Sequence, residues 1–273
     1  MGEADFGHGR KLSANIDVSV PHPSRVWNYL LGGKDNFAVD REVADQIRVL
    51  LPGVIAMAQA DEAFRGRAVQ YLVGEAGMRQ FVDIGSGLPA SNNTHRVAQA
   101  VAPESRIVYG DNDHMVLTHA RALMTGDAPG VTDYIYADLH EPDEILRSID
   151  GTLDLSRPVA LMLMGRSLIF LDDDAAFTAV KRLLDAVPAG SHLMLTHSTN
   201  EGSGEAMDDA VRHWNESAPS QVTMRSPQRL AEFFDGLDLV PPGVVACSRW
   251  RPVLGEVSSS SDGDQFCGIG RKP

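Results

Sequence analysis

Cysteine is nearly absent. Cys247 and Cys267 are the only two in 273 residues, too few for a disulfide framework and in keeping with a reducing compartment. Cations are also scarce: 24 Lys and Arg against 37 Asp and Glu give a formal net charge of −13, and no stretch gathers them into a stripe. Binding to a phosphate backbone draws on clustered cations and counterion release, so a small-molecule partner is expected and nucleic acid is not. Long apolar runs are missing as well. The longest, 158–164 and 167–170, are separated by Gly165 and Arg166, whereas a membrane helix needs about 20 apolar residues. Residues 1–11 are polar and charged, without the apolar centre of a signal peptide. A soluble, cytoplasmic chain without membrane contact is the expectation. Nine histidines include no His-Glu-x-x-His helix, and there is no Cys-x-x-Cys pair, so no metal site is expected.

What is present is ordinary globular material, with 43% apolar and 22% charged residues. Residues 1–20 read as a loose lead-in, and 21–77 as helical. Val43, Ala44, Ile47, Leu50 and Leu51 recur at helical spacing, as do Ala63, Phe64, Ala68, Tyr71 and Leu72, with Pro52-Gly53 between the two sets. From Gln80 the period changes. Strands are predicted at 81–84, 106–109, 133–136, 159–164 and 192–196, alternating with helices at 93–101, 115–124, 143–148 and 173–186. This alternation argues for an α/β fold, a parallel sheet with helices on both faces. Helices at 205–215 and 227–234 then precede two late strands, 244–248 and 265–269. The serine-rich segment 257–264 reads as a mobile turn between them. No repeat or linker divides the chain into independent domains.

The strongest local signal is Phe81-Val82-Asp83-Ile84-Gly85-Ser86-Gly87-Leu88-Pro89-Ala90. It follows the first strand and opens a helix. The first glycine permits a tight turn, the second admits a ligand against the backbone, and small Ala90 lets the helix pack on the strand. Asp83, two residues before Gly85, is unfavourable beside a pyrophosphate and suits a cationic ligand. Strand two ends in Gly110-Asp111-Asn112-Asp113, where Asp111 is placed to accept ribose hydroxyls and Asp113 to cap the next helix. Strand three ends in Ala137-Asp138-Leu139, where Asp138 is placed for an adenine amino group and Leu139 for the ring.

The Asp-x-Gly-x-Gly turn with these later acids resembles class I S-adenosylmethionine-dependent methyltransferases. More narrowly, the stretch Pro21-His22-Pro23-Ser24-Arg25-Val26-Trp27-Asn28-Tyr29-Leu30-Leu31-Gly32-Gly33-Lys34-Asp35-Asn36-Phe37 resembles the opening of one bacterial family, first catalogued as a domain of unknown function and later named for S-adenosyl methyltransferase activity. Further matches fall at 81–89, 108–113, 137–139, 157–160, 233–237 and 268–273. The resemblance implies a Rossmann-like, seven-stranded, mostly parallel sheet with one antiparallel strand near its edge. It implies a helical extension or lid over residues 1–77 and a cofactor-binding domain over 78–273. It implies S-adenosyl-L-methionine as cofactor, held by Asp83, Gly85, Ser86, Gly87, Asp111, Asn112, Asp138 and Leu139. Gly32-Gly33 interrupts the helical pattern of Trp27, Leu30 and Leu31, and the polar loop that follows is expected to close the pocket through Tyr29, Gly33 and Asn36, a capping turn between helices being the plainer reading.

Met164 and Arg166, after strand four, are expected to face the cofactor's reactive end and the acceptor, although Met162, Met164 and Met194 also read as core filler on buried strands. His114, Arg166 and His197 are the catalytic candidates, and Asp172-Asp173-Asp174 reads as a helix cap. The chain departs from the family at 164–170, which reads Met-Gly-Arg-Ser-Leu-Ile-Phe, with Leu168 where a histidine is expected. Two functions therefore stay open: transfer of a methyl group to a small molecule, or a non-catalytic regulatory protein that kept the pocket.

Overall fold

The computed structural model describes residues 17–88, 93–123, 129–253 and 263–273; Pro89, Ala90 and most of the serine-rich turn lie outside them. Its centre is one sheet of β1 (Gln80–Ile84), β2 (Arg106–Asp111), β3 (Val131–Tyr136), β4 (Ala160–Leu163), β5 (His192–Ser198), β6 (Asp238–Leu239), β7 (Val245–Ala246) and β8 (Gln265–Arg271). The order is β3-β2-β1-β4-β5-β8-β6. The first five strands run parallel and β8 runs antiparallel to β5. β6 and β7 pair with successive stretches of β8, Leu239 opposite Gly270 and Val245 opposite Cys267. They form one edge strand interrupted by residues 240–244, so the expected seven strand positions are filled.

Helices α1 (Pro23–Leu30), α2 (Ala38–Leu50) and α3 (Val54–Gly74) precede the sheet, and α4 (Thr94–Val101), α5 (His114–Leu123), α6 (Pro142–Ile149) and α7 (Asp173–Asp185) connect its parallel strands. α8 (Glu205–Ser217) and α9 (Pro227–Ala231) follow β5. Local chemistry sets the boundaries. Pro23 occupies the first turn of α1, where its missing N–H costs nothing. The Asp40 carboxylate accepts from the Phe37 N–H (2.8 Å) at the start of α2. Asp172 caps α7 by accepting from the Ala175 N–H (2.8 Å), as the sequence suggested.

Alternation along the strands sorts the core into two layers. Val82, Ile84, Val108, Leu161, Leu163, Leu193 and Leu195 face α6, α7 and α9. Phe81, Ile107, Tyr109, Met162, Met164 and Met194 face α3, α4 and Trp250. Helix α3 thus supplies Phe64, Ala68, Val69 and Leu72 to the sheet's own core, although it precedes residue 78. α1 and α2 pack instead on α8 through Val26, Leu30, Ala44, Ile47, Met207 and Trp214. Cys247 lies beside Cys267; both are buried free thiols, and burial raises the Cys247 pKa. No helix among the described residues is long and apolar enough to cross a membrane.

Candidate functional site

In an open parallel sheet, ligands bind beyond the carboxyl ends of the strands where the order reverses. Here that switch lies between β1 and β4, and a cavity of about 320 Å3 opens at it, extending over the ends of β2 and β3. Ile84, Gly85, Asp111, Asn112, Asp138 and Leu139 form one side, and Arg166, Ser167 and Phe170 the other. Its rim is completed by 21–24 from the entry to α1 and by Pro219 and Ser220 after α8.

The glycine turn is built as its pattern implies. Gly85 and Gly87 have φ of +72° and +69°, a region that costs other residues but not glycine. A Cβ on Gly85 would lie 3.0 Å from the Ser167 Cβ, and one on Gly87 would lie 3.0 Å from the Arg166 Nε. The turn therefore brings backbone against the segment that follows β4.

Asp111 is the centre of the polar network. Its carboxylate accepts from the Gly87 N–H (3.0 Å), the Asp113 N–H (2.9 Å) and the Ser24 hydroxyl (3.3 Å). Burial raises its pKa, while the two N–H donors and nearby His22 hold it down. Asp113 caps α5 through the Met115 N–H (2.8 Å) and pairs with His22 (3.2 Å) and Arg25 (3.8 Å). Arg25 also lies 3.5 Å from Asp40. These pairs fasten α1 over the end of β2. Asp138 is more open; it accepts from the His140 N–H (2.9 Å) and lies 2.8 Å from the His140 Nδ1.

Several expected residues stand elsewhere. Asp83 lies among the residues that face α3 and α4, fully buried beneath the turn. It accepts from the Thr94 hydroxyl (2.6 Å), and its Oδ1 has no donor among the described residues. Burial raises its pKa against the pull of Arg65. Asp61, Glu62 and Arg65 of α3 complete this buried cluster: Glu62 pairs with Arg65 and lies 3.8 Å from Arg166, and Asp61 accepts from the Gln265 amide (3.0 Å). Ser86 is buried, and its carbonyl accepts from the Arg166 Nη2 (2.9 Å). Met164 is wholly inside the core and its side chain does not line the cavity.

The loop after α1 also needs correction. Tyr29 donates to Asp45 at the exposed surface (3.1 Å). Asn36 donates to the Asn28 side chain and to the Gly33 carbonyl (3.0 Å each). A Cβ on Gly33 would collide with Asn28. Gly33 and Asn36 therefore close a turn around Asn28 while Tyr29 turns to Asp45, and none of the three lines the cavity, whereas the preceding 21–24 do.

Neither histidine candidate reaches the cavity. His197 is fully buried; its Nδ1 lies 2.7 Å from the Ser198 carbonyl, and its Nε2 is 2.8 Å from the Arg225 Nη1. Arg225 can only donate, so both imidazole nitrogens are engaged, and burial lowers the pKa to about 4. His114 stacks on Tyr136 with centroids 5.2 Å apart and is absent from the lining. Leu168, in the place of the expected histidine, is buried in the aliphatic core. It does not line the cavity.

The S-adenosyl methyltransferase family pattern matches residues 9–273. A DUF574 family protein from Streptomyces avermitilis is similar in structure, with a TM-score of 0.91 and 37% identity over 94% of this chain and 100% of that one. A Thermobifida fusca protein gives a TM-score of 0.87 and 39% identity over 96% and 99%. Synechocystis magnesium protoporphyrin IX methyltransferase, solved with bound S-adenosylhomocysteine, shares the fold at 11% identity, with a TM-score of 0.55 over 91% and 93%. No curated protein matches. With the family pattern spanning almost the whole sequence and the class I sheet order in place, the chain belongs to the S-adenosyl methyltransferase family and is an S-adenosylmethionine-dependent methyltransferase.

Proposed function

We propose that the cavity over β1, β2 and β3 holds S-adenosylmethionine and that the methyl group passes to a small molecule. The observation carrying this reading is Asp111, a carboxylate on the cavity wall tied to the glycine turn through the Gly87 N–H. Ribose hydroxyls would donate to Asp111 in place of the Ser24 hydroxyl. Asp138 would accept from the adenine amino group, with Leu139 and Asn112 beside the ring. The methionine end would extend along Gly85 and Gly87 towards β4, above the charge of Asp83. When bound, S-adenosylmethionine supplies an electrophilic methyl group on a sulfonium.

The residues suit such a ligand and not a dinucleotide. Asp111 and Asp138 are acceptors, and the Gly87 N–H that would meet a pyrophosphate is already engaged by Asp111. A cationic, phosphate-free nucleoside fits this arrangement. Isothermal titration with S-adenosylhomocysteine and with NAD tests it. One site for the former and none for the latter is expected; NAD binding alone would sink the assignment.

A further inference from the structure

We propose that the methyl acceptor is a small apolar carboxylate whose anionic oxygens are held by Arg166. The inference rests on the cofactor reading above and adds the substrate class. A second cavity, of about 110 Å3, lies between α1, α2 and α8. It shares Pro23, Arg166 and Phe170 with the first. Its walls are almost entirely apolar, with Ile47, Met207 and Trp214 among them. At about 110 Å3 it is smaller than the roughly 150 Å3 cavity that admits benzene, so by itself the space suits a short acyl chain, and an aryl ring only where it meets the first cavity at Arg166 and Phe170.

The polar groups left over in this cavity are donors. The Arg166 side chain is only 5% exposed, yet its Nε and Nη1 have no hydrogen-bond partner among the described residues. Nη2 is anchored on the Ser86 carbonyl (2.9 Å), and Cζ lies 5.4 Å from the centroid of the Trp27 ring. The buried Trp27 Nε1 likewise has no partner. A buried donor without an acceptor is costly; Nε and Nη1 lie on opposite edges of the guanidinium, so a carboxylate would accept a charge-assisted bond from one of them, the other edge being shared with Nη2 on the Ser86 carbonyl. Glu62, 3.8 Å from Nη1, is already paired with Arg65.

Among the described residues no carboxylate or imidazole lines this cavity, so no group there is placed to take a proton from an alcohol, phenol or amine. A carboxylate is already anionic at neutral pH and needs none. Methylation would form an O–CH3 bond from an oxygen lone pair as the donor's S–CH3 bond breaks, its electron pair remaining on sulfur. The anion becomes a neutral ester, the sulfonium becomes a neutral thioether, and no proton moves. The ester loses its charge-assisted bond to Arg166, which favours release.

The test is isothermal titration of the protein saturated with S-adenosylhomocysteine, using phenylacetate, indole-3-acetate and hexanoate beside their neutral amides. At least one carboxylate should bind about tenfold or more tightly than its amide. Arg166→Met should abolish that preference, and Trp27→Phe should weaken carboxylate binding while the guanidinium remains. Failure of all three carboxylates to bind, or amides binding equally well, overturns the proposal. Titration of Arg166→Met with S-adenosylhomocysteine alone separates the two readings. Loss of that ligand, with the carboxylate preference retained when both proteins are titrated in its absence, would assign Arg166 to the cofactor and overturn the acceptor assignment. If the unaltered protein does not bind S-adenosylhomocysteine, the cofactor reading fails and the proposal falls with it.

Discussion

On the side of the sheet covered by α6, α7 and α9, the strands present Val82, Ile84, Leu161, Leu163, Leu193 and Leu195 to helices that answer with aliphatic residues. On the other side the same strands present Asp83, Tyr109 and Met162 to α3, which buries Asp61, Arg65 and Arg67. One layer is held mainly by apolar burial and close packing, with the His197–Arg225 pair as its buried polar contact. The other holds ionised groups in pairs, and some of their atoms lack partners among the described residues: Asp61 Oδ2, Arg65 Nε and Asp83 Oδ1. These lie close to the glycine turn and Arg166, where the ligand site begins. The aliphatic layer fixes the strand order that makes the crevice, and the charged layer sets the electrostatics beneath it.

The contrast is broken most severely by Arg65→Met. That change leaves buried Asp83 and half-buried Glu62 without the guanidinium, and removing one partner of a buried pair costs about 3–5 kcal/mol. Urea unfolding of Arg65→Met against the double variant with Asp83→Asn measures it; the second change should restore part of the loss. A cost below about 1 kcal/mol would mean that the α3 layer is not held by charge. On the opposite face, Leu161→Ala should cost about 2–5 kcal/mol through lost burial and a residual cavity. It should leave the S-adenosylhomocysteine Kd unaltered, since Leu161 packs only within the aliphatic core.

The two layers were not equally legible in the sequence. Each parallel strand reads as an apolar run, and those of β1, β2 and β3 carry or are closed by Asp83, Asp111 and Asp138, so the sheet and the crevice could be placed from local patterns. Asp61 and Arg65 could not. Their helical spacing looks the same whether a helix is covered on one side or both, and only the packing of α3 beneath β1 and β8 shows that they are buried. Nor does local pattern bring 21–24 to Asp111, nearly ninety positions later. The Gly32-Gly33 loop misled for a related reason: its polar side chains suggest a ligand, but Asn28, one turn earlier, takes up their hydrogen bonds.

Acid should separate the layers by sign. His197, on the aliphatic side, has a pKa of about 4 when folded against 6.5 when unfolded. Its contribution is complete above pH 6.5 and is lost as pH falls towards 4, amounting to about 3 kcal/mol. Asp61 and Asp83 are raised above their ordinary 3.8 by burial. The folded form takes up those protons first, so acidification adds stability between pH 3.8 and their folded values. Denaturant midpoints at pH 7.5 and pH 5 should fall less for His197→Gln than for the unaltered protein, because the amide can still accept from Arg225 without titrating. Followed on down towards pH 4, the fall should be steeper for Asp83→Asn. Identical pH slopes in all three proteins would show that neither layer's buried groups control acid stability.

The finest test lies at the pocket itself, between two polar residues that the sequence alone assigned to the cofactor. Asp111→Asn removes the charge but keeps one acceptor oxygen for Gly87. Hydrogen bonds to charged groups contribute about 1.5–3 kcal/mol, so the S-adenosylhomocysteine Kd should rise about 10- to 100-fold while a folded thermal transition remains. Asn36→Ala removes hydrogen bonds to Asn28, Gly33 and Arg41, none of which lines the cavity, so its Kd should stay within about twofold although the Tm falls. The pair separates holding the ligand from holding a loop. If Asn36→Ala weakens binding as strongly as Asp111→Asn, the turn after α1 reaches the ligand after all, and the cavity wall must then be redrawn to include it.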